Sequence, residues 1–450
     1  MKLFFELHTK MLRQYSLQLC EFLPKRHADF AIKTRGLHYE TDKQVLTMQE
    51  ARTKMMQRTG IEEGFLPEYK SREHLNKYLP KIEDLPPRSM RDSYSKVIIP
   101  LSKDKLLQGR YASIMGHVRI GRLLEDVDSF GVWTCHQHVI LPKLPKDVYL
   151  PYTFVTISLD NVAFTDFEAV IHKDIELSGH VIWVGKTSIK IRINLRQCVD
   201  GVCKELTTAH ILFAARNATN TGPNLVNPLQ LCNDEERKIF ATAAEQINKA
   251  KANKTASIFI VDYCHEEMQI LNSLFLKTIN PKTLSLNEQA LPKNSKWMSD
   301  SSAVNTISGF PEFRNSQNTI FGGYLMRIAL EISWLSAFMY CESRARLMHI
   351  SQISFHKPVP VGSFLQTSSY VAYTENNHMQ MRTTANVIDP KNGGQITTNV
   401  FHFTYVANDK VAQIIPRTYH ETLWFAKGRR MYKDALAMHK CLIDFKCGKK

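Results

Sequence analysis

The residues of this chain that could do chemistry lie in two segments of similar design, about two hundred positions apart. Each segment has a polar loop, a turn of small residues and then a long apolar stretch. The later segment carries amides before its turn, whereas the earlier segment carries carboxylates after its turn, among them Asp126 and Asp128. A carboxylate can act as a general base for water or as a nucleophile on a carbonyl carbon. This asymmetry predicts one active site built from two halves of the chain.

Glycines at the start of the later apolar stretch suit such a site. Gly322 and Gly323 open a run with apolar residues at helical spacing, so we predict a helix that begins there. The first N–H groups of a helix have no acceptor within the helix, and they can stabilise charge on a carbonyl oxygen. An aspartate buried on an apolar helix has a pKa above its usual value of about 4, which makes it a stronger base.

The elements that must position these residues also occur twice. A predicted strand with the threonine pair 207–208 is matched 190 residues later by a strand with the pair 397–398. The turn glycines Gly121 and Gly323 are 202 residues apart. The chain is therefore an internal repeat, in which the first copy carries about twelve extra residues between its helix and its sheet.

Each copy is predicted to contain one long buried helix and several long strands. Residues 188–195 alternate between apolar and polar side chains, which is typical of a half-buried antiparallel strand. The helix after Gly323 is apolar nearly all round, so it should be buried. One buried helix wrapped by an antiparallel sheet is the hotdog architecture. We therefore predict an α+β protein with tandem hotdog folds that form an internal pseudo-dimer.

Changes of composition along the chain divide it into five parts. The predicted parts are an N-terminal extension with a candidate targeting segment (1–95), a first hotdog domain (96–220), a helical connector (221–283), a second hotdog domain (284–422) and a basic C-terminal tail (423–450).

Composition excludes several classes of protein. No apolar run reaches the roughly 18 residues of a membrane span, so we predict none. The nine cysteines form no CxxC pair, and no Cys/His spacing is typical of a zinc site. We therefore expect no disulfide framework, a reducing compartment and no bound metal.

The net charge of +15 suits a phosphate-bearing ligand such as coenzyme A, an anionic membrane surface or nucleic acid. We predict no nucleic-acid partner, because basic and aromatic residues do not interleave on one predicted face. The basic N-terminus lacks an uninterrupted apolar core, which is compatible with mitochondrial import and not with secretion.

Six stretches together resemble the mitochondrial acyl-coenzyme A thioesterases of the double-hotdog type, specifically their type 9 branch. The matching stretches are 90–94 (MRDSY), 121–131 (GRLLEDVDSFG), 178–188 (SGHVIWVGKTS), 280–283 (NPKT), 320–327 (IFGGYLMR) and 397–403 (TTNVFHF). The resemblance implies a mitochondrial enzyme that hydrolyses acyl-coenzyme A without a metal or an organic cofactor. It also implies a homo-oligomer of pseudo-dimers.

The resemblance also assigns roles to individual residues. The family pattern has an Asn or Asp eight residues before the second turn glycine and an acid seven residues after the first, which here are Asn315 and Asp128. The reciprocal positions hold Ser113 and Leu330, so the second composite site lacks its acid. Glu331 is one residue late, which places it about 100° further round the helix.

Four residues are predicted to bind coenzyme A. Gly322 and Gly323 would hold the thioester oxygen, and Lys186 and Thr187 would meet the phosphates or the pantetheine arm. A plain hairpin turn at Lys186–Thr187 is an alternative interpretation. Two further arginines, Arg122 and Arg327, begin the two helices and are either phosphate contacts or exposed charges.

Other interpretations stay open at this point. Asn315 could only shape a loop before a helix, and Asp128 could be a solvated helix charge. The whole chain could be a catalytically weak acyl-coenzyme A binding or scaffold protein, since duplication leaves both sites free to decay. A dehydratase on the same fold is a further alternative, because a fold does not fix a function.

Overall fold

The computed structural model describes residues 45–61, 70–165, 167–253, 263–280, 282–283, 288–315, 318–355 and 357–446 of the chain. The predicted targeting segment at the N-terminus lies outside these described residues.

The described residues contain eight α-helices. They are α1 (Met48–Thr59), α2 (Met90–Ser93), α3 (Lys105–Tyr111), α4 (Ile120–His138), α5 (Asp234–Asn253), α6 (His265–Lys277), α7 (Gly322–Cys341) and α8 (Tyr419–Lys446). Short 3-10 helices lie at Glu73–Tyr78, Ile82–Asp84, Ser299–Ser301 and Pro311–Phe313.

The first half of the chain contributes nine strands. They are β1 (Leu46–Thr47), β2 (Arg88–Ser89), β3 (Ser95–Ile99), β4 (Tyr152–Leu159), β5 (Val162–Ala163), β6 (Ile175–Val184), β7 (Ser188–Val199), β8 (Val202–Asn217) and β9 (Leu229–Gln230). The second half contributes β10 (Ser295–Trp297), β11 (Ala303–Ser308), β12 (Ala345–Ile350), β13 (Ile353–Ser354), β14 (Phe364–Glu375), β15 (His378–Ile388), β16 (Gln395–Ala407) and β17 (Gln413–Ile415).

Two large sheets carry the fold. The first has seven strands in the order β1-β3-β6-β7-β8-β4-β13, and the second has six in the order β11-β14-β15-β16-β12-β5. All neighbours are antiparallel except β1 and β3. Each sheet wraps one long helix, α4 in the first half and α7 in the second, so the predicted tandem hotdog fold is confirmed.

The two sheets exchange short strands reciprocally. After β4 the chain of the first half crosses over, and β5 pairs with β12 of the second sheet. After β12 the chain of the second half crosses in the other direction, and β13 pairs with β4 of the first sheet. Each half therefore completes the sheet of the other, which joins the halves into one pseudo-dimer.

Small residues let each helix lie close against its sheet. A Cβ atom on Gly131 of α4 would lie 2.5 Å from the ring of Phe213 on β8. A Cβ atom on Gly179 of β6 would lie 2.6 Å from the carbonyl oxygen of Arg192. Side chains at these two positions would push the helix or the neighbouring strand away, so glycine sets the depth of the core.

Strand β7 shows the predicted alternation, but its polar face is also covered. Ile189, Ile191 and Ile193 are fully buried against the core. On the other face, Lys190 is only 1% exposed, and its Nζ lies 2.6 Å from the Asp160 carboxylate. Helix α5 lies over that face, which is why the strand is buried on both sides and not half-buried as predicted.

The two segments that flank the second hotdog unit are helical and occupy similar positions. Helix α5, in the predicted connector, packs Ile239 against Ile182 of the first sheet. Helix α8 covers the second sheet, where Phe425 and Tyr432 pack against Tyr373. The stretch predicted as a basic tail is therefore largely this covering helix.

Part of the predicted N-terminal extension joins the first hotdog unit. Strand β1 pairs in parallel with β3, and α1 follows it directly. Helix α1 is held on α4 by Arg52, whose guanidinium lies 2.8 Å from the Asp126 carboxylate, and by Arg58, which donates to the His136 carbonyl at 2.7 Å.

One pair of cysteines departs from the expectation of free thiols. Cys198 and Cys203 face each other across the β7–β8 hairpin and form a disulfide. The two residues are five positions apart, and only the register of the hairpin brings them together.

Candidate active site

Helix α4 places Asp128 at the boundary between the two halves. The side chain is 0% exposed. Its Oδ1 accepts a hydrogen bond from the Thr156 hydroxyl at 2.6 Å, and its Oδ2 accepts one from the Gly323 N–H at 2.8 Å. Thr156 belongs to the first half and Gly323 to the second. The carboxylate is therefore a buried group shared between the two halves, and not a solvated helix charge.

The surroundings of Asp128 make it a stronger base than an ordinary aspartate. Burial raises its pKa to about 6, and the hydrogen bonds from Thr156 and Gly323 oppose that rise only in part. A carboxylate with this pKa is mostly ionised at neutral pH and still accepts a proton more readily than a solvated one.

The amino end of α7 meets this carboxylate through two glycines. A Cβ atom on Gly323 would lie 2.9 Å from the Glu125 Cα of α4, so only glycine allows the two helices to approach this closely. A Cβ atom on Gly322 would lie 3.2 Å from Asp128 Oδ2 and 3.6 Å from the ring of Phe355. The Gly323 N–H, predicted to hold a substrate oxygen, donates to Asp128 in this structure.

Thr156 was not among the predicted site residues. It lies in β4, whose residues Tyr152 and Phe154 are buried, and it continues their alternation toward the core. The register of β4 against β8 shifts between Thr156 and Ser158. A hydroxyl on the apolar side of a strand is the signal that could have identified Thr156.

Asn315 lies in the tight loop that leads into α7. Its N–H donates to the Thr319 carbonyl at 2.7 Å, and its amide oxygen accepts from the Thr319 N–H at 3.2 Å. Asn318, with a φ of 56°, allows the loop to turn back. The oxygen of the Asn315 amide therefore shapes the loop. The hydrogen bonds to the Asp128 carboxylate come from other residues, Thr156 and Gly323.

Lys186 and Thr187 lie in the β6–β7 turn, away from Asp128. The Thr187 carbonyl accepts from the Ala215 N–H at 2.8 Å. Ala215 pairs with Phe154, and the Phe154 ring packs on His136 near the end of α4. Because a helix rises about 1.5 Å per residue, this level of α4 is roughly 12 Å from Asp128.

The second half has lost the polar groups of the equivalent site. Leu330 takes the place of Asp128, and Leu347 takes the place of Thr156, since the bulges of β4 and β12 correspond. Ser113 repeats the loop bonds of Asn315: its N–H donates to the His117 carbonyl at 2.8 Å, and its hydroxyl accepts from the His117 N–H at 3.2 Å. The second site therefore offers no carboxylate at the position that Asp128 occupies in the first.

Charged residues at this second site pair with each other. Glu331 forms an ion pair with Arg119, which precedes α4. Arg122 and Arg327 both bind the Glu125 carboxylate, at 2.8 Å and 3.1 Å. The two arginines thus contact a protein carboxylate in this structure.

Among the residues that the structure describes, no group of three or more His, Cys, Asp or Glu side chains is arranged to hold a metal ion. No helix in the described ranges is long and apolar enough to cross a membrane.

Comparisons with known proteins place the chain among characterised enzymes, although no family model matches it. It is 34% identical over 432 residues to the mitochondrial acyl-coenzyme A thioesterase 9 of Bos taurus, covering 95% of this chain and 97% of that one. It is 36% identical over 367 residues to the mitochondrial acyl-coenzyme A thioesterase 10 of Mus musculus, covering 81% and 82%. A solved structure of the Staphylococcus aureus acyl-CoA hydrolase matches 34% of this chain and 99% of its own, with 23% identity and a TM-score of 0.32.

The identity to the two mitochondrial enzymes extends over most of both chains, so it covers both hotdog units and the segments that join them. This chain belongs to the acyl-coenzyme A thioesterase family, in the group that includes the mitochondrial type 9 enzymes.

Proposed function

We propose that this protein hydrolyses acyl-coenzyme A thioesters to free fatty acid and coenzyme A at a single composite site. The observation that carries the proposal is the buried Asp128 carboxylate, which is held by a hydroxyl of one half and the amino end of a helix of the other. Four relatives at 34–36% identity are named mitochondrial, which supports the predicted location of this protein.

Asp128 serves as the general base in this proposal. Water attacks the thioester carbonyl carbon while the carboxylate takes its proton. The resulting tetrahedral intermediate expels the coenzyme A thiolate, which takes the proton that Asp128 had accepted and so returns Asp128 to its ionised form. Thr156 and the Gly323 N–H hold the two carboxylate oxygens in place, so the base does not need to reorganise.

The amino end of α7 and the Asn315 loop supply the polar groups for the reacting carbonyl. The Gly322 N–H, in the first turn of α7, has no acceptor within the helix, so it stabilises the negative charge on the oxygen. Asn315 orients the water or the carbonyl with the amide of its side chain, while the loop bonds to Thr319 fix the residue in space.

Lys186 and Thr187 bind the phosphates or the pantetheine arm of coenzyme A in this proposal. The pantetheine arm separates the phosphates from the thioester, so the distance of this turn from Asp128 is compatible with such a role. Lys186→Ala would raise KM with little change in kcat, because the lost contact is made equally in the ground state and the transition state.

Thiol release from acyl-coenzyme A by the purified full-length chain tests the proposed reaction. Asp128→Asn should lower kcat by at least a hundredfold, the scale of general-base catalysis, which contributes about 10²–10⁴-fold. Glu331→Gln is the matched control, because it removes the carboxylate nearest the equivalent point of α7 and should leave activity unchanged. Retained activity in Asp128→Asn would overturn the assignment.

A second pair of variants tests Asn315. Asn315→Ala should lower kcat, whereas Ser113→Ala, at the same position of the other half, should not. Equal effects of the two variants would mean that the loops act only in folding.

The alternative function is binding of acyl-coenzyme A without turnover. The loss of polar groups at Leu330 and Leu347 favours this function for the second site. Calorimetry with a non-hydrolysable thioether analogue of the substrate counts the binding sites on each chain. One site per chain supports a lone catalytic site, and two sites support binding in both halves.

We also propose that the pseudo-dimers assemble further. On α7, Leu335 and Met339 are 45% and 51% exposed. The residue of α4 that corresponds to Leu335 is Trp133, which is only 7% exposed in the half where α1 packs on α4. Light scattering should give a mass above 51.8 kDa for the wild type, and Leu335→Glu should lower it.

A further inference from the structure

The Asp128 carboxylate and the ring of Phe355 both lie close to Gly322, at the amino end of α7. A Cβ atom on Gly322 would lie 3.2 Å from Asp128 Oδ2 and 3.6 Å from both Cε1 and Cζ of Phe355. Because Gly322 has no side chain, a charged group and an aromatic ring can both approach the backbone at this one point.

The backbone of Phe355 is fixed by the strand exchange. Phe355 follows β13, which pairs with β4, and its N–H donates to the Ile157 carbonyl at 2.9 Å. The preceding carbonyl, of Ser354, accepts from the Asn399 side chain at 3.0 Å. Because Ile157 is next to Thr156, the strand that holds the carboxylate also positions the ring. Phe355 thus reaches the site from the second half of the chain.

The other half provides an internal comparison. Phe164 corresponds to Phe355, since its N–H donates to the Met348 carbonyl at 2.9 Å in the reciprocal exchange. Phe164 is only 6% exposed, whereas Phe355 is partly exposed. The position of Gly322 is taken by Ile120, which brings its own side chain. The second composite site, which lacks the acid, therefore also lacks a glycine at the position of Gly322.

We propose that Phe355 is the residue that selects the acyl group, acting on the carbons next to the thioester carbonyl. This inference depends on the proposed thioesterase function. The carbonyl carbon must lie within reach of a water at Asp128, so the apolar ring beside Gly322 is placed to contact the first carbons of the acyl chain. The Phe355 ring at this point discriminates between acyl groups by their branching near the carbonyl. It contacts no carbon at the far end of the acyl chain.

Paired substrates of equal carbon number test this inference. Butyryl-coenzyme A and isobutyryl-coenzyme A differ only in a branch at the carbon next to the carbonyl. Phe355→Ala should raise the ratio of kcat/KM for isobutyryl over butyryl by about tenfold or more, the effect of one methyl group in a shaped pocket. Phe355→Leu should give a smaller rise, and decanoyl-coenzyme A should follow butyryl-coenzyme A in every variant.

Phe164→Ala is the matched control, because it makes the same truncation at the equivalent point of the other half. It should leave the substrate ratio unchanged, even where burial of Phe164 makes the variant less stable to heat. An unchanged ratio in both Phe355 variants, or an equal change in Phe164→Ala, would overturn the assignment of Phe355.

The failure of this inference is distinguishable from the failure of the proposed function. If the wild type releases thiol and Asp128→Asn does not, the reaction stands, and the substrate ratio alone decides the role of Phe355. If the wild type releases no thiol from any of the three substrates, both proposals fall.

Discussion

The chemistry of Asp128 depends on the burial of its carboxylate away from any charged partner. Its neighbours in sequence, Glu125 and Asp126, are carboxylates on the same helix, and both bind arginine side chains. Asp128 instead receives hydrogen bonds from a hydroxyl and a backbone N–H, both without net charge. Desolvation therefore raises its pKa, and no guanidinium opposes that rise as Arg52 does at Asp126.

The raised pKa of Asp128 predicts the pH dependence of catalysis. A general base works only when it is ionised, so kcat/KM should rise as pH increases through about 6 and then level off. An initial-rate profile from pH 4.5 to 8.5 measures it. A profile that is flat over this range would mean that the base has an ordinary aspartate pKa and that the carboxylate is solvated in the free enzyme.

The same shift predicts a gain of stability when the charge is removed. The folded pKa is above the unfolded value, so Asp128 stabilises the fold at low pH and this contribution is lost as pH rises through about 6. One pKa unit corresponds to about 1.4 kcal/mol, so Asp128→Asn should add up to about 3 kcal/mol at pH 8. The gain over wild type should vanish at pH 4, which denaturant unfolding at the two pH values would show.

The two glycines at the start of α7 should respond differently to alanine. Gly322→Ala puts a methyl group in contact with the Asp128 carboxylate and the Phe355 ring, so it should lower kcat/KM at least tenfold with little loss of stability. Gly323→Ala would place Cβ 2.9 Å from the Glu125 Cα, so it should lower the melting temperature by several degrees. Activity and thermal unfolding of both variants test the contrast, and a swapped order would contradict it.

At the scale of residues, sequence reasoning selected residues by their positions in the repeat, although the paired positions carry different side chains. Asp128, Gly322 and Gly323 lie on helices with a clear apolar pattern, so their neighbourhood could be predicted. Thr156 and Phe355 could not, because a bulge and an exchanged strand bring them to Asp128. The placement of Asn315 in the loop before α7 agrees with the prediction, while its catalytic role stays a prediction.

At the scale of elements, α1 acts as part of the first hotdog unit. Asp126 is 1% exposed and lies between Arg52 of α1 and the Tyr111 hydroxyl of α3. Burial raises the pKa of Asp126, and the Arg52 guanidinium opposes that rise. The Asp126 carboxylate of α4 thus binds side chains of both α1 and α3.

Loss of the Arg52 contact should therefore destabilise the fold. The Arg52 side chain is 37% exposed, so Arg52→Ala should lower the free energy of unfolding by about 1–3 kcal/mol, less than for a fully buried pair. Lys54→Ala, at an exposed position of the same helix, is the control and should change it by less than about 0.5 kcal/mol. Denaturant unfolding measures both, and equal effects would exclude a role of the ion pair.

The covering helices α5 and α8 could be predicted only in part. Acidic residues at the start of α5 indicated a helix there, but its place over the polar face of β7 is shown only by contacts such as that of Lys190, whose Nζ donates to the Gln246 side chain of α5 at 2.8 Å. The sequence of α8 has many lysines and arginines, which resembles a solvated tail. Its packing depends on aromatic contacts such as Tyr373 with Phe425, which composition does not reveal.

At the scale of the whole molecule, the pseudo-dyad joins unlike charges. Glu125 of α4 and Arg327 of α7 occupy the same position of the two halves, and they form an ion pair 3.1 Å apart. Their side chains are 12% and 9% exposed. A symmetric dimer would bring two identical residues together at this point, so fusion of the halves has allowed a complementary pair.

A double-mutant cycle of Glu125→Gln and Arg327→Gln measures what this pair contributes. Residues in direct contact typically couple by about 0.5–3 kcal/mol, and we expect a value in the upper half of that range because the pair is mostly buried. Arg122→Gln combined with Arg327→Gln gives the comparison between two partners of one carboxylate. Additive effects of the two substitutions would mean that the ion pair contributes nothing to the stability of the contact between the two halves.

The tandem architecture itself could be predicted, because the repeat of helix and strand patterns is a property of the sequence. The partner of each exchanged strand could not, since β5 and β13 are two residues long and carry no periodic pattern. Long-range pairing of such short segments is decided by the surfaces that the two hotdog units present to each other.

The reciprocal pairing of β5 with β12 and of β13 with β4 has a consequence for a severed chain. If the chain were cut once between the two hotdog units, the sheet of each fragment would still include a short strand from the other fragment. A nicked protein should therefore migrate as one species in native electrophoresis and as two under denaturing conditions. The strand pairing that holds the fragments together does not depend on the peptide bond that was broken.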